Sequence, residues 1–397
     1  MINVIIYRFF GGILEMSNKL VLYIGGFQLP EGNAATQRVI NNSKILSQLG
    51  YKVFLKGVKG IKENTSAAVD IDFEYQTSKY PNSIRNWITH LTSIYSIKQT
   101  IKLIGKPSII IAYNYPSIAM FRLMRFCKKN KIYIVSDCTE WYGFQGKNYL
   151  LKFIKWIDST LTMKVINKKV DGLIVISDFL YNYYSFKKVK ILIPPLVDKD
   201  DKIWSNVSKI LPDDKINIIY FGSMGKHKDS ISDFLHAIEF NPKIHFIVIG
   251  ITKAEYLNFF PKDSNVIKCL QGKIEFLNRL SHSETIEYLK ACDYMVFFRD
   301  FKKISNCAGF PTKFVEAYSN SVPVITNNNS NLKMYLRSGI NGLTIDNKNF
   351  AELREACLNL SKKQSALFSK HINDMEFHYA NYIENFDVFF SKIEGSR

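Results

Sequence analysis

Short apolar runs alternate with helical stretches along this chain, and this alternation limits the possible folds more than any other feature does. The runs in the first half include KLVLYIGGF (19–27), YKVFLKGV (51–58), SIIIAYN (108–114), KIYIVSD (131–137) and DGLIVIS (171–177). Runs that are apolar along their whole length are typical of strands covered on both faces, and parallel strands need a helical crossover between them. The first half therefore predicts a doubly wound parallel sheet.

A second series of the same kind begins at residue 216. It contains INIIYFGS (216–223), IHFIVIG (244–250), DYMVFF (293–298), VPVIT (322–326) and GLTI (342–345), and a further strand is expected near 266–269. The stretches between these runs have helical spacing. The second half thus predicts another doubly wound α/β domain.

Two consecutive prolines in IPPLVD (193–198) separate the two series, since proline cannot join a central strand. We predict an N-terminal Rossmann-like domain over 1–200 and a C-terminal one over 201–375. The tail, 376–397, is expected to form a helix that packs back on the N-terminal domain. Residues 1–15 are a possible extension, apolar but shorter than the roughly 20 residues that span a bilayer.

The positive charge of the chain is concentrated in its first half. The net charge is +18, and residues 1–200 hold 28 Lys and Arg against 13 Asp and Glu. Such a field attracts anionic partners, either phospholipid head groups or nucleic acid, although a lysine-rich composition is an alternative explanation. No helix-turn-helix, finger or aromatic-basic RNA motif is present, which argues against nucleic acid.

Two basic segments with apolar residues could lie on an anionic membrane surface. They are RLMRFCKKNK (122–131) and the stretch 147–169, which mixes Leu, Phe, Ile and Trp with lysines. The alternative is that these helices pack on the first sheet with their lysines outward.

The segment FPTKFVEAYSNSVPVIT (310–326) carries the most specific motif of the chain. It resembles the P-x-K-x-x-E segment that precedes P-V-I in family-4 glycosyltransferases of bacterial surface-polysaccharide type. FFRDFKKISNC (297–307), FGSMGKHKDS (221–230) and GGFQLPEGNAATQRV (25–39) are similar to other parts of that family, each more weakly.

The resemblance implies the GT-B fold, in which two facing Rossmann-like doubly wound parallel-sheet domains enclose an interdomain cleft. It implies a retaining enzyme that moves a sugar from a nucleotide-sugar donor to a glycan or polyprenyl-linked oligosaccharide acceptor in O-antigen or capsule biosynthesis. The expected location is cytoplasmic, peripheral at the inner face of the cytoplasmic membrane.

Three charged residues are assigned to the donor by this resemblance. Glu316 would hold the ribose, because a carboxylate can accept hydrogen bonds from two hydroxyl groups. Lys228 would contact the diphosphate, where a lysine can follow the charge that develops on the leaving phosphate. Lys313 lies one helical turn before Glu316 and is assigned to the phosphate or sugar region.

Gly25 and Gly26 would let the loop after the first strand approach the donor phosphates, although they could equally form a simple tight turn. The chain departs from the family at two positions. Ala308 stands where an earlier glutamate is common, eight positions before the retained one, and Ser223 stands where many members have arginine. Arg299 could replace the lost positive charge.

The acceptor side is assigned to SDCTEWYGF (136–144), which follows a clear strand. Asp137 and Glu140 are the candidate catalytic residues, since a hydroxyl acceptor needs a group that takes its proton. A helix N-cap followed by a first-turn acid is the alternative role of these two residues.

The resemblance also implies that no metal is needed, so we expect neither a metal nor another cofactor. Asp70-Ile71-Asp72 spells a D-x-D sequence, but the surrounding segment is predicted as a peripheral strand. The cysteines are scattered without a C-x-x-C pair, which argues against a zinc site.

Two other functions remain open at this stage. A nucleotide-sugar 2-epimerase shares the two-domain fold, although the P-x-K-x-x-E segment argues against it. A catalytically degenerate partner subunit of a glycosyltransferase complex would explain Ala308 and Ser223.

Overall fold

The structure is a computed structural model, and it describes residues 19–30, 33–59, 72–143, 149–222, 229–327 and 330–395. The possible extension, residues 1–15, lies outside the described residues, as do Lys228, Ser223 and most of the D-x-D sequence. None of the helices in the described ranges is long and apolar enough to cross a membrane.

The first sheet contains seven parallel strands in the order β3-β2-β1-β4-β5-β6-β7. They are β1 (Leu20–Leu29), β2 (Lys52–Lys59), β3 (Glu74–Ser78), β4 (Ile109–Tyr113), β5 (Tyr133–Cys138), β6 (Gly172–Val175) and β7 (Lys190–Leu192). The strand order reverses between β1 and β4, so the crevice for a ligand lies beyond the carboxyl ends of those strands.

Helices cover both faces of this sheet. They are α1 (Ala34–Gln48), α2 (Ile84–Thr92), α3 (Tyr95–Ile104), α4 (Ser117–Lys129), α5 (Tyr149–Leu161), α6 (Asn167–Lys169) and α7 (Asp178–Tyr183), with a π-helical turn over Thr162–Ile166. Strands β1, β2 and β4 alternate their buried side chains between two apolar clusters, one on each face of the sheet. The helices therefore form two layers around a common sheet.

The second sheet repeats this plan with six parallel strands in the order β11-β10-β8-β12-β13-β14. They are β8 (Ile216–Phe221), β10 (Ile244–Ile249), β11 (Ile274–Leu277), β12 (Tyr294–Arg299), β13 (Val324–Thr326) and β14 (Gly342–Thr344), and the short β9 (Asp229–Ser230) pairs antiparallel with β12. Two parallel sheets with helices on their faces confirm the predicted α/β fold class.

The helices of the second half follow its strands in the same way. They are α8 (Ser232–Ile238), α9 (Lys253–Phe259), α10 (Ser264–Cys269), α11 (His282–Ala291), α12 (Ile304–Ala308), α13 (Thr312–Tyr318), α14 (Phe350–Asn359), α15 (Lys362–Ser369) and α16 (Ile383–Glu394).

One predicted strand is wrong. The segment 266–269 belongs to helix α10, and the strand beside β10 is β11, a few residues later. Val266, Ile267 and Leu270 are buried together at helical spacing, which a four-residue window cannot distinguish from a buried strand.

The last helix, α16, lies on the first sheet although it comes from the end of the chain. A Cβ atom on Gly172 would lie 2.5 Å from Ile393 Cδ1 and 2.7 Å from Phe389 Cζ, so β6 and α16 are in direct contact. Phe386 and Phe390 of this helix are also buried in a cluster with β1 and β4 residues. The first and last described elements, β1 and α16, thus belong to the same domain.

A buried ion pair holds α1 against the first sheet. Asp137, at the end of β5, is completely buried, and Arg38 of α1 donates to it from Nε at 3.1 Å and from Nη2 at 2.8 Å. Tyr23 of β1 donates to Asp137 Oδ2 at 2.5 Å, and Arg38 Nη1 donates to the carbonyls of Ile193 and Pro194.

This pair shows that the catalytic role predicted for Asp137 is wrong. Its carboxylate has no exposed surface and accepts hydrogen bonds from Arg38 and Tyr23, so it cannot reach an acceptor hydroxyl. Burial opposes the charge of Arg38, but the charge and hydrogen bonds of Asp137 outweigh it and raise the pKa of the guanidinium. Burial, and next the charge of Asp137, raise the pKa of Tyr23 well above its usual range.

We expect Arg38→Met to lower the free energy of unfolding by about 3–5 kcal/mol, because it leaves a buried carboxylate without its counter-charge. The double variant with Asp137→Asn should regain part of that loss, measured by urea denaturation. Lys52→Met is the control, since Lys52 forms an exposed pair with Glu74 and should change stability little. If Arg38→Met and Lys52→Met lower the free energy of unfolding equally, burial of the ion pair is not what makes it stabilising.

Candidate functional site

A pocket of about 360 Å³ lies at the carboxyl edge of the second sheet. The ends of β8 and β10, the residues just before α11, and the first turns of α11 and α13 enclose it. Its lining includes Gly222, Gly250, His282, Lys313 and Glu316. Parallel strands direct their following loops to this edge, which is where open α/β sheets bind ligands.

Two glycines form the floor of this pocket because no side chain fits there. Gly222 and Gly250 have φ angles of +122° and +104°, which side chains rarely allow. A Cβ atom on Gly250 would lie 2.7 Å from the Gly222 carbonyl oxygen. The two strand ends therefore touch through their backbones and leave the space above them open.

Lys313 places a positive charge next to this floor. The residue is buried, and its Nζ lies 4.2 Å from the centre of the Tyr220 ring and 5.9 Å from that of Phe297. A Cβ atom on Gly222 would be 3.2 Å from the same Nζ. Cation–π contact stabilises a buried ammonium, so the charge is held in place by aromatic rings.

Glu316 lies one helical turn after Lys313 and faces a histidine across the pocket. His282 Nε2 is 3.4 Å from Glu316 Oε1, and His282 Nδ1 is 3.3 Å from Nε2 of Gln37, on helix α1 of the first domain. Burial lowers the pKa of His282, but the hydrogen bond and charge of Glu316 outweigh burial and raise it. The carboxylate is thus linked to the opposite domain through the imidazole.

His282 and Gln37 were not predicted as site residues. The sequence presents His282 as an isolated histidine after a helix-capping Ser281, and no motif includes it. Only the packing of α11 beside α13 brings it to Glu316, which is 34 positions away.

The raised pKa of His282 predicts a pH dependence of stability. A base whose pKa is higher in the folded state adds stability below its unfolded pKa, and this is lost as the pH rises through the folded pKa. The difference in unfolding free energy between the native chain and His282→Gln should therefore be larger at about pH 5.5 than at about pH 9. Urea denaturation at both pH values measures it. A difference independent of pH would contradict the ionic contact.

The structure distributes the other predicted site residues over several places. Gly25 lines a separate pocket in the first domain, and no heavy atom of the described chain lies within 4 Å of a Cβ position on Gly26. Arg299 ends β12, where its N–H donates to Asn327 Oδ1 at 3.0 Å. Lys228 lies outside the described residues. For these four residues the donor contact stays a prediction.

Glu140 lies at the boundary between the domains. It is exposed and follows β5, and the carbonyl of the preceding Thr139 is 4.0 Å from a Cβ position on Gly309. Beside Gly309, the completely buried Ala308 accepts a hydrogen bond at 2.6 Å from Ser177 Oγ of the first domain. The position that often carries a glutamate is therefore sealed by the domain interface here, and Glu140 lies next to it.

The described part of the chain shows no cluster of three or more His, Cys, Asp or Glu side chains that could hold a metal ion. The lining of the pocket carries the Lys313 ammonium and the Arg279 guanidinium.

The second domain matches a known family. Residues 202–375 match the model for Glycosyl transferases group 1. A comparison with curated protein sequences gives no match for this chain.

Solved structures of similar shape cover almost the whole chain. A sucrose-phosphate synthase from Thermosynechococcus elongatus has a TM-score of 0.66 at 13% identity, covering 96% of this chain and 100% of that one. HepE from Anabaena, in complex with UDP and glucose, has a TM-score of 0.65 at 12% identity, covering 94% and 99%. The apo lipopolysaccharide outer core galactosyltransferase WaaB has a TM-score of 0.59 at 15% identity, covering 94% and 99%.

The fold is therefore the GT-B fold of glycosyltransferases. Within it, residues 202–375 match the glycosyl transferases group 1 model, and the pocket with Lys313 and Glu316 lies within the matched residues.

Proposed function

We propose that this protein is a retaining, family-4 glycosyltransferase that moves a sugar from a nucleotide-sugar donor to a glycan or polyprenyl-linked oligosaccharide in bacterial O-antigen or capsule biosynthesis. The observation that carries the proposal is the pocket of the second sheet. It joins a held ammonium, Lys313, and a carboxylate, Glu316, above a floor of two glycines inside the family-matched region.

The pocket has the groups that a nucleotide-sugar needs. Glu316 can accept hydrogen bonds from both ribose hydroxyls, and Lys313 can offset negative charge on the phosphates. The glycine floor lets a phosphate approach the backbone closely. Lys228 would add a second cation to the diphosphate. HepE holds UDP and glucose, which supports a ligand of this class.

The acceptor would enter from the first domain. Glu140 is exposed beside the segment around Gly309, so it can orient the acceptor hydroxyl. In a retaining reaction the leaving phosphate of the donor helps to remove the hydroxyl proton. Because lysines supply the positive charge in this proposal, no metal ion takes part.

We also propose that the protein binds the inner face of the cytoplasmic membrane through α4 and α5. These helices expose large apolar side chains among basic ones: Phe121, Phe153, Ile154, Trp156 and Ile157 with Arg122, Arg125, Lys152 and Lys155. Apolar residues that enter the lipid boundary and lysines that meet anionic head groups together favour peripheral binding.

Nucleotide binding tests the enzyme proposal. In a thermal-shift screen against UDP, GDP, CMP and their sugars, one nucleotide class should raise the unfolding temperature, because a ligand that binds only the folded state stabilises it. Glu316→Gln should remove most of that shift, since the amide cannot accept from both ribose hydroxyls as a carboxylate does. Glu355→Gln is the matched control, as Glu355 is exposed on α14 of the same domain.

If folded protein responds to none of these nucleotides, the donor site is refuted and the degenerate partner subunit becomes the better interpretation. If Glu355→Gln loses the shift as fully as Glu316→Gln does, the assignment of Glu316 to the ribose fails.

Cosedimentation with lipid vesicles tests the membrane proposal. The protein should bind vesicles that contain phosphatidylglycerol more than phosphatidylcholine vesicles, and added salt should weaken the binding. Phe153→Ser with Trp156→Ser should lower the bound fraction severalfold, whereas Leu358→Ser, an exposed leucine of the second domain, should not. Equal binding by both variants would refute α5 as the contact.

A further inference from the structure

A second pocket, of about 520 Å³, lies at the carboxyl edge of the first sheet. The ends of β1, β2 and β3 form its floor, and α2 with the start of α3 covers it. Its lining is rich in hydroxyl and amide groups and contains Lys56, Lys79 and His90. Among the described residues that line it, none is Asp or Glu. The lysines, hydroxyl groups and amide groups of this pocket are therefore set in a wall whose surface is mostly apolar.

Lys56 is the unusual residue of this pocket. It lies within β2, in register with Ile24 of β1 and Gln76 of β3, and only 8% of its surface is exposed. Its Nζ donates to Gln76 Oε1 at 2.9 Å, and the same oxygen accepts from Thr100 Oγ1 at 2.6 Å. An ammonium has three N–H donors, so a shared neutral oxygen satisfies only part of it.

No carboxylate of the described residues forms an ion pair with Lys56. Burial without a counter-charge lowers the pKa of its ammonium. The contrast within the strand is Lys52, which is exposed and pairs with Glu74 at 3.0 Å. A buried cation is costly unless an anion compensates it. An apolar residue at position 56 would pack better against the neighbouring core. The stability of the fold therefore does not explain a lysine at this position.

Helix α2 shows that the polar lining is not a defect of packing. Asn86, Thr89 and His90 lie at helical spacing and line the pocket, whereas none of the residues of α2 is buried. Two apolar residues of this helix face solvent: Ile84 and Ile88 are 82% and 57% exposed. A helix that served only to cover the sheet would turn its apolar side inward.

We infer that this pocket binds an anionic group of the acceptor glycan, a phosphate ester or a sugar carboxylate, with Lys56 as its counter-ion. That the ligand is the acceptor rests on the proposed function, whereas the anion site itself rests on the pocket and on Lys56. Lys56 supplies charge and free N–H donors, and Lys79 adds a second cation at the pocket wall. The hydroxyl and amide groups of Ser78, Asn82 and Asn86 can bind the sugar that carries the anion.

The site also lies near the point where the strand order of the first sheet reverses. Gly25, within β1, is part of its lining, and β1 is the strand beside the switch point of the first sheet. The solvent-facing Ile84 and Ile88 of α2 lie on the outer side of the same helix. An acceptor with an anionic head and an apolar tail would therefore meet a charged pocket and an apolar surface on opposite sides of α2.

Binding of three small probes tests the inference: inorganic phosphate, glucuronate and the neutral methyl glucoside. Isothermal titration of the full chain should show binding of one anion, and that anion identifies the acceptor group as phosphate or carboxylate. Lys56→Met should weaken it at least about tenfold, since hydrogen bonds to charged groups contribute that much. Lys52→Met, the same substitution on the same strand, should leave the affinity unchanged.

One further variant and one further measurement keep the result decisive. Lys56→Arg retains the charge and should stay within a few-fold of the native affinity. Lys56→Met should raise the unfolding temperature without anion, because it removes an uncompensated buried charge. These readouts need no nucleotide and no transfer reaction, so they can succeed or fail independently of the Glu316 experiment.

The inference is overturned if neither anion binds, if Lys56→Met binds as the native chain does, or if methyl glucoside binds as well as glucuronate. Loss of phosphate binding in Lys313→Met but not in Lys56→Met would place phosphate in the pocket of the second sheet and would also overturn it.

Discussion

The ion pair between Arg38 and Asp137 is the interaction on which the rest of the structure depends. It joins α1 to β5, and through Tyr23 it includes β1, so three elements of the first domain share one buried charge pair. Arg38 also donates to the carbonyls of Ile193 and Pro194, where the chain leaves the first sheet. Buried charges are tolerated only when hydrogen bonds satisfy them, and here the carboxylate and the guanidinium both have several partners.

The position of α1 has a consequence across the cleft. Gln37, the residue before Arg38, reaches His282 of the second domain, and His282 faces Glu316. The ion pair thus fixes helix α1, and the adjacent residue of that helix, Gln37, contacts His282 of the candidate donor pocket. Ser177 and Ala308 form another bond between the domains at the end of the cleft where Glu140 lies. Neighbouring residues of one helix therefore form the buried ion pair and the contact with His282.

Each of the two pockets has a buried lysine in its lining, and a buried ammonium of this kind suits an anionic ligand. In the second domain a single ammonium, Lys313, is held by aromatic rings beside a carboxylate. In the first domain Lys56 is buried, and none of the described residues that line its pocket carries a carboxylate. Both lysines lie at strand-end pockets of parallel sheets, where the backbone of a glycine leaves room for a ligand.

The sequence by itself determined the fold class and one part of the site. Continuous apolar runs specify strands covered on both faces, and the P-x-K-x-x-E motif keeps Lys313 and Glu316 on one helix because local spacing fixes their side. Local spacing gave the wrong element at 266–269, where a short apolar run suits a strand and a helix equally. The tertiary structure alone decided that Asp137 is a buried partner of Arg38, that His282 meets Glu316, and that Lys56 lines a pocket. Each of these depends on elements distant in the chain packing together, and no local pattern records which distant side chain will compensate a charge.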